Sequence, residues 1–266
     1  MPTIKFTCFK VLLTIGLFSL LPWLPSSVNA QDDSSITVYQ FRHVADNKID
    51  EFIKRETTYW SKVAAAAVKN KTMSFWGLFE KVGGYDLSNS ANFLFVNTFP
   101  NVDKAGDVFG AAEKITGLPM AKIETGSMGP VTAQLFLHDR GWTQGANVNP
   151  EKDFNYVVLI YHNTNFPDSL IDLENKYWLP FIKSAMDQKQ TPQVGWGNAI
   201  VLSPYGENIK FNTVSFDLYK NLQDALLPKW SPATVFPNEG LTNINAIEIN
   251  RRNAEIYRTV KVVSAN

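Results

Sequence analysis

The chain carries one local pattern twice, and that repetition constrains its fold more than any other feature. FIKRETTYWSKVAAAA followed by MSFWGLF begins at Phe52, and LIDLENKYWLPFIKSA followed by QVGWGNAI begins at Leu170. Glu56, Tyr59 and Trp60 recur as Glu174, Tyr177 and Trp178, 118 residues later, and Trp76-Gly77 recurs as Trp196-Gly197. A recurrence of this kind fixes what the folding unit is. It does not name a reaction.

The repeats are preceded by a segment with the features of an export leader. Lys5 and Lys10 supply a basic start, Val11–Leu24 is apolar, and Val28-Asn29-Ala30 offers small residues where a signal peptidase reads. A signal peptide is therefore expected over residues 1–30, with an exported product, periplasmic or secreted. The apolar run is short for a bilayer span and is closed by Pro22 and Pro25. Cleavage would remove Cys8, the sole cysteine, leaving no disulfide, thiol nucleophile or cysteine metal ligand. The remaining 236 residues carry 23 basic against 25 acidic side chains. That balance is not the footprint of a nucleic-acid binder, and no later run is long and apolar enough to span a membrane.

Within each copy the periodicity reads as β-α-β-β-α-β, the ferredoxin-like order. The first copy has strands at Ile36–His43, Met73–Val82, Asn92–Phe99 and Val131–Asp139. Its helices are predicted from Asn47, where Asn47 and Asp50 resemble a capping box, and over Val102–Ile115. The second has strands at Phe154–His162, Gln193–Leu202, Phe211–Asp217 and Ile256–Val263. Its helices run from Ser169 to Asp187, with a box at Ser169 and Asp172, and over Leu222–Leu227. Residues 117–130 and 228–250 are expected as loops. Both faces of the strands are apolar, since Val38, Tyr39 and Phe41 point to both sides and Phe93–Val96 is a continuous run. A bare apolar sheet face must be buried against something. The second copy is the obvious partner, in a sandwich of two sheets or a closed barrel with helices outside.

These residues resemble the dimeric α+β barrel superfamily, in the style of members whose single chain supplies both halves. The resemblance rests on first strands ending at His43 and His162, on Glu-x-x-Tyr-Trp at 56–60 and 174–178, and on Trp-Gly at 76–77 and 196–197. It implies an α+β fold of two fused ferredoxin-like β-α-β-β-α-β repeats packed through their sheets, residues 31–145 and 146–266. The superfamily includes cofactor-independent monooxygenases, small-molecule isomerases and decarboxylases, and haem-binding proteins, and no residue set here selects among them.

Glu56 and Glu174 are the sharpest local observation, because each shares an apolar helical stripe. A carboxylate there must find donors or change protonation state, so each is a candidate acid or base, or a structural acceptor tying the helix to a loop. His43 and His162 close the first strands and are candidates for ligand binding or proton shuttling, or for bonds to loop carbonyls. Trp76 and Trp196, with Tyr59 and Tyr177, are candidates to line an apolar ligand pocket, or to fill the core. His138 is the third histidine, and no close ligand spacing joins the three. Neither metal nor cofactor is assigned. Three functions follow: binding of a small apolar or aromatic molecule between the repeats, a cofactor-independent monooxygenase or isomerase, and a structural domain with a filled core. The repeats are expected to pair within the chain, with further oligomerisation open.

Overall fold

The computed structural model describes residues 34–84, 91–206, 210–249 and 253–264. The leader expected over residues 1–30 lies outside them. Among the described residues there are eight strands: β1 (Ile36–Arg42), β2 (Phe75–Gly84), β3 (Phe93–Phe99), β4 (Val131–Gln144), β5 (Tyr156–His162), β6 (Gln193–Ser203), β7 (Thr213–Tyr219) and β8 (Asn253–Ser264). All pairings are antiparallel, and the ring order β1-β3-β2-β8-β5-β7-β6-β4 closes on itself.

The expected architecture, two ferredoxin-like repeats packed through their sheets, is not the one adopted. The sheets do not stack on one another. β2 pairs with β8 and β4 with β6 edge to edge, so the chain forms one closed eight-stranded antiparallel barrel with helices outside. The α+β class stands. Two open sheets would leave four rows of unpaired backbone N–H and C=O groups, and closure pairs them all.

Closure also explains why the strands are apolar on both faces. One hydrophobic cluster draws side chains from all eight strands, among them Tyr39, Phe79, Leu94, Leu137, Leu159, Ala199, Val214 and Tyr257, and therefore occupies the interior. Alternate residues point outward. Val38, Trp76, Phe93 and Phe95 join Phe52, Val63 and Ala67 in a second cluster between sheet and helices. The interior also holds a polar set, in which the Tyr161 and Tyr257 hydroxyls both donate to Glu255 Oε2, at 2.9 and 2.8 Å.

The outer helices in the first half are α1 (Ile49–Arg55), α2 (Ser61–Lys69), α3 (Ala105–Gly110), α4 (Ala112–Thr116) and α5 (Met120–Ile123). The second half has α6 (Pro150–Asp153), α7 (Pro167–Leu173), α8 (Leu179–Asp187), α9 (Leu222–Leu226) and α10 (Asn238–Ile247). α5 and α10 lie in segments expected as loops. Neither expected capping box forms. α1 is entered through a 3-10 turn at Asp46–Lys48, and α7 starts at Pro167, whose fixed φ suits a first helical position.

The Trp-Gly pairs have a steric cause. Trp76 and Trp196 point outward and are buried, so Gly77 and Gly197 face the interior. A Cβ on Gly77 would lie 2.5 Å from Phe79 Cε2, and one on Gly197 would collide with the Phe216 ring. The glycines make room for interior aromatic rings.

Candidate functional site

The two Glu-x-x-Tyr-Trp segments are not continuous α-helix. Glu56–Trp60 is a π-helical turn between α1 and α2, and Glu174–Trp178 is another between α7 and α8. The extra residue in a π turn rotates the following helix by about 100°, and such turns concentrate at functional sites. The expected apolar stripe of Phe52, Glu56, Val63 and Ala67 is buried on both sides of the turn. Beyond the turn Ser61, Val63, Ala64 and Ala67 are buried, while Trp60 is only partly so.

Trp60 turns toward a pocket of about 580 Å³ on the outer face of the barrel's first half. Its floor is sheet: Val38, Gln40 and Arg42 from β1, Phe95, Asn97 and Phe99 from β3, Trp76 from β2, and Gln134 and Phe136 from β4. Glu56 and Trp60 close one side, Phe109 of α3 another, and residues 124–126 a third. Trp60 is fixed by its indole N–H, which donates to the Ile123 carbonyl at 2.9 Å, and by an edge contact with Phe109, centroids 6.1 Å apart.

A short relay of polar groups crosses the floor. Arg42 Nε donates to Gln40 Oε1 at 2.8 Å, and Gln40 Nε2 donates to Gln134 Oε1 at 3.1 Å. The guanidinium carbon lies 4.8 Å from the centre of the Phe95 ring. Arg42 Nη1 is buried and bonds to nothing, and so is Asn97 Oδ1, on a side chain only 7% exposed. On β1 the register partner of Asn97 is Val38, four residues from Arg42. From Arg42 the guanidinium reaches back toward Gln40 and Phe95, whose register position lies between the two.

Glu56 is the titrating group of the pocket. It is 3% exposed, and its Oε1 accepts from Thr125 Oγ1 at 2.5 Å. Burial pushes its carboxyl up to about 7, against the opposing effects of the Thr125 hydroxyl and the Arg42 charge. Burial also lowers the pKa of Arg42, with the Glu56 charge opposing. The pocket thus combines aromatic walls, a desolvated cation and a carboxyl able to exchange a proton near neutrality.

The corresponding place in the second half is closed. His162 Nδ1 lies 2.5 Å from Glu248 Oε1, and His162 Nε2 lies 2.7 Å from Ser215 Oγ. The order Glu-His-Ser is that of a hydrolase relay, yet Ser215 is 4% and His162 2% exposed, so this set is sealed from solvent. α10 packs against the π turn, where a Cβ on Gly240 would collide with Tyr177. Trp230 stacks on Phe181 at 5.7 Å and meets Trp178 edge-on at 6.3 Å. Glu174 accepts from Asn198 Nδ2 at 2.9 Å.

Of the residues singled out from sequence, Glu56 and Trp76 line the pocket, together with the neighbouring Trp60. Trp196 is buried against Ile182 and Met186. Tyr59 and Tyr177 are half-buried, and Lys176 Nζ sits 4.7 Å above the Tyr177 ring. His43 is exposed at the end of β1, and it is Arg42 that shares the register of His162. His138 is half-buried on the outer face of β4. Among the described residues no three His, Cys, Asp or Glu side chains gather as a metal site. Sequence reading missed Gln40, Arg42, Asn97 and Thr125. A signal was present for the first three: polar residues at alternate positions of strands whose other face is apolar.

No protein-family profile matches the sequence, and no curated protein does. Solved structures do match in fold. A “putative monooxygenase” from Lactobacillus acidophilus NCFM superposes with a TM-score of 0.55 at 11% identity, over 87% of this chain and 96% of its own. An anthrone oxidase-like protein gives 0.52 at 12% identity, over 89% and 95%. A second “putative monooxygenase”, from Fusobacterium nucleatum, gives 0.52 at 10% identity, over 87% and 94%. These neighbours are of the dimeric α+β barrel type. The likeness is one of fold.

Proposed function

We propose that the protein binds a small, largely aromatic molecule in the pocket on the outer face of the first half of the barrel. One observation carries the reading: a cavity of about 580 Å³ with aromatic walls is lined by Arg42 and Asn97, each of which also carries a buried polar atom, Nη1 and Oδ1, that no protein group satisfies. Unmet buried polar groups are costly unless something pairs with them. This pocket lies outside the barrel, whereas the site expected between the halves would lie in the interior, where Tyr39, Leu94, Leu159 and their neighbours cluster. The test is native mass spectrometry of the purified chain combined with tryptophan fluorescence, since Trp60 and Trp76 both line the walls. A small-molecule mass released on unfolding, or saturable quenching by a bicyclic aromatic, is the expected result. Absence of both a bound mass and saturable quenching by any such probe would overturn the reading.

A catalytic use of the same pocket is favoured by Glu56. With its carboxyl at about 7, it can accept a proton from a bound phenol or an activated C–H group, leaving the ligand as the anion and Glu56 neutral. The fold shared with proteins described as monooxygenases and as anthrone oxidase-like supports this reading. Glu56→Gln would then abolish turnover while retaining binding. We further propose that the chain is exported and cleaved after Ala30, which N-terminal sequencing of the secreted product tests.

A further inference from the structure

Resting on the reading of the pocket as a ligand site, we infer that its ligand is a carboxylic acid, and that the carboxylate pairs with Arg42 as Glu248 of the chain itself pairs with His162. Arg42 and His162 are register equivalents. Arg42 ends β1 opposite Phe93, the first residue of β3, and His162 ends β5 opposite Thr213, the first residue of β7. The match extends to their surroundings. Two residues further on, Phe95 lies against the guanidinium at 4.8 Å and Ser215 against the imidazole at 2.7 Å. Trp76 pairs with Asn97 where Trp196 pairs with Asp217, and Glu56 and Glu174 open the two π turns.

In the second half the nitrogen base is met by a carboxylate of the chain, brought by the residues leading into β8. Glu248 Oε1 reaches His162 Nδ1 at 2.5 Å, with the two side chains 10% and 1% exposed. In the first half the residues leading into β4 do something else. They send Thr125 to Glu56, while the Glu124 carboxylate is engaged by the Ser127 hydroxyl and backbone N–H, at 2.5 and 3.0 Å. Among the described residues no carboxylate lies within ion-pair distance of Arg42. Nε is already bonded to Gln40, and the unsatisfied Nη1 marks the terminal edge of the guanidinium as the free one. That edge is shaped for two parallel bonds to a carboxylate. A phosphate dianion fits less well, because Arg42 is the one cation among the lining residues, and Glu56 and Glu124 line the pocket beside it.

Isothermal titration of the purified chain with 2-naphthoate and with its neutral isostere 2-naphthamide tests the inference. The acid is expected to bind at least about tenfold tighter than the amide, as a charge-assisted pair requires. Arg42→Gln should bring that ratio toward one. Arg42→Lys, which keeps charge but loses the fork, should leave it intermediate, and near-ultraviolet circular dichroism of each variant checks folding. Equal affinity of acid and amide for the parent chain would overturn the carboxylate inference and leave the pocket reading intact. A preference for the acid that survives in a folded Arg42→Gln chain would also overturn it. No binding of either probe would remove both.

Discussion

Thr125 Oγ1 donates to Glu56 Oε1 at 2.5 Å, joining the loop before β4 to the first residue of the π turn across 69 residues of sequence. This bond stabilises the charged form of a carboxyl that burial otherwise drives toward neutrality. The balance lands at about 7, and it makes Glu56 a sensor of pH in both stability and binding.

The stability consequence has a definite sign. A carboxyl raised from 4.5 to about 7 on folding contributes stability that is fully present below 4.5 and is lost as pH rises through about 7. The size is on the order of 3 kcal/mol. Glu56→Gln should remove this dependence, so that the difference in unfolding free energy between parent and variant changes steadily between pH 4.5 and 7. Denaturant titrations across that range measure it, and parallel pH profiles would count against the assignment.

Thr125→Val removes the hydroxyl that opposes burial. The Glu56 carboxyl should rise further, and the pH at which stability stops falling should move up with it. At alkaline pH the loss should reach about 1–3 kcal/mol, the cost of leaving a buried acceptor unmet. Melting temperature against pH for the parent and this variant provides the comparison.

Gly197→Ala should destabilise the barrel by about 1–3 kcal/mol, because its methyl group would overlap the Phe216 ring and approach the Gly141 carbonyl at 2.9 Å. Gly77→Ala meets only the rings of Phe79 and Phe75, which can shift, and should cost less. Equilibrium unfolding of both variants gives the order.

His162→Ala removes one partner of Glu248 and the partner of the Ser215 hydroxyl in a buried site, and should cost about 1–3 kcal/mol. Ser215→Ala removes only the bond to His162 Nε2 and should cost less, about 0.5–1 kcal/mol. Urea midpoints distinguish the two, and a near-neutral His162→Ala would show that the set is not structural.

Residues 31–145 alone should not yield a folded monomer. β2 and β4 would be left with the open edges that β8 and β6 pair in the intact chain. Size-exclusion chromatography should find the fragment aggregated or self-associated; a monomer that melts cooperatively would refute this.

Local pattern was enough to place the eight strands and the long helices, because side-chain alternation and helical periodicity are written in nearest-neighbour order. Glu56 and Trp76 were singled out in this way, and both are buried and line the pocket. The sequence could not show that the sheets join at their edges, since strand pairing between β2 and β8 or β4 and β6 is a matter of backbone satisfaction and not of side-chain pattern. Nor could it show that the repeated Glu-x-x-Tyr-Trp segments become π turns. Above all, it did not distinguish the two halves. Arg42 and His162 hold the same place in the two halves, but only the tertiary fold brings Glu248 onto one and leaves the other facing a cavity. Such a difference depends on where distant segments come to rest, and local residue order carries no record of it.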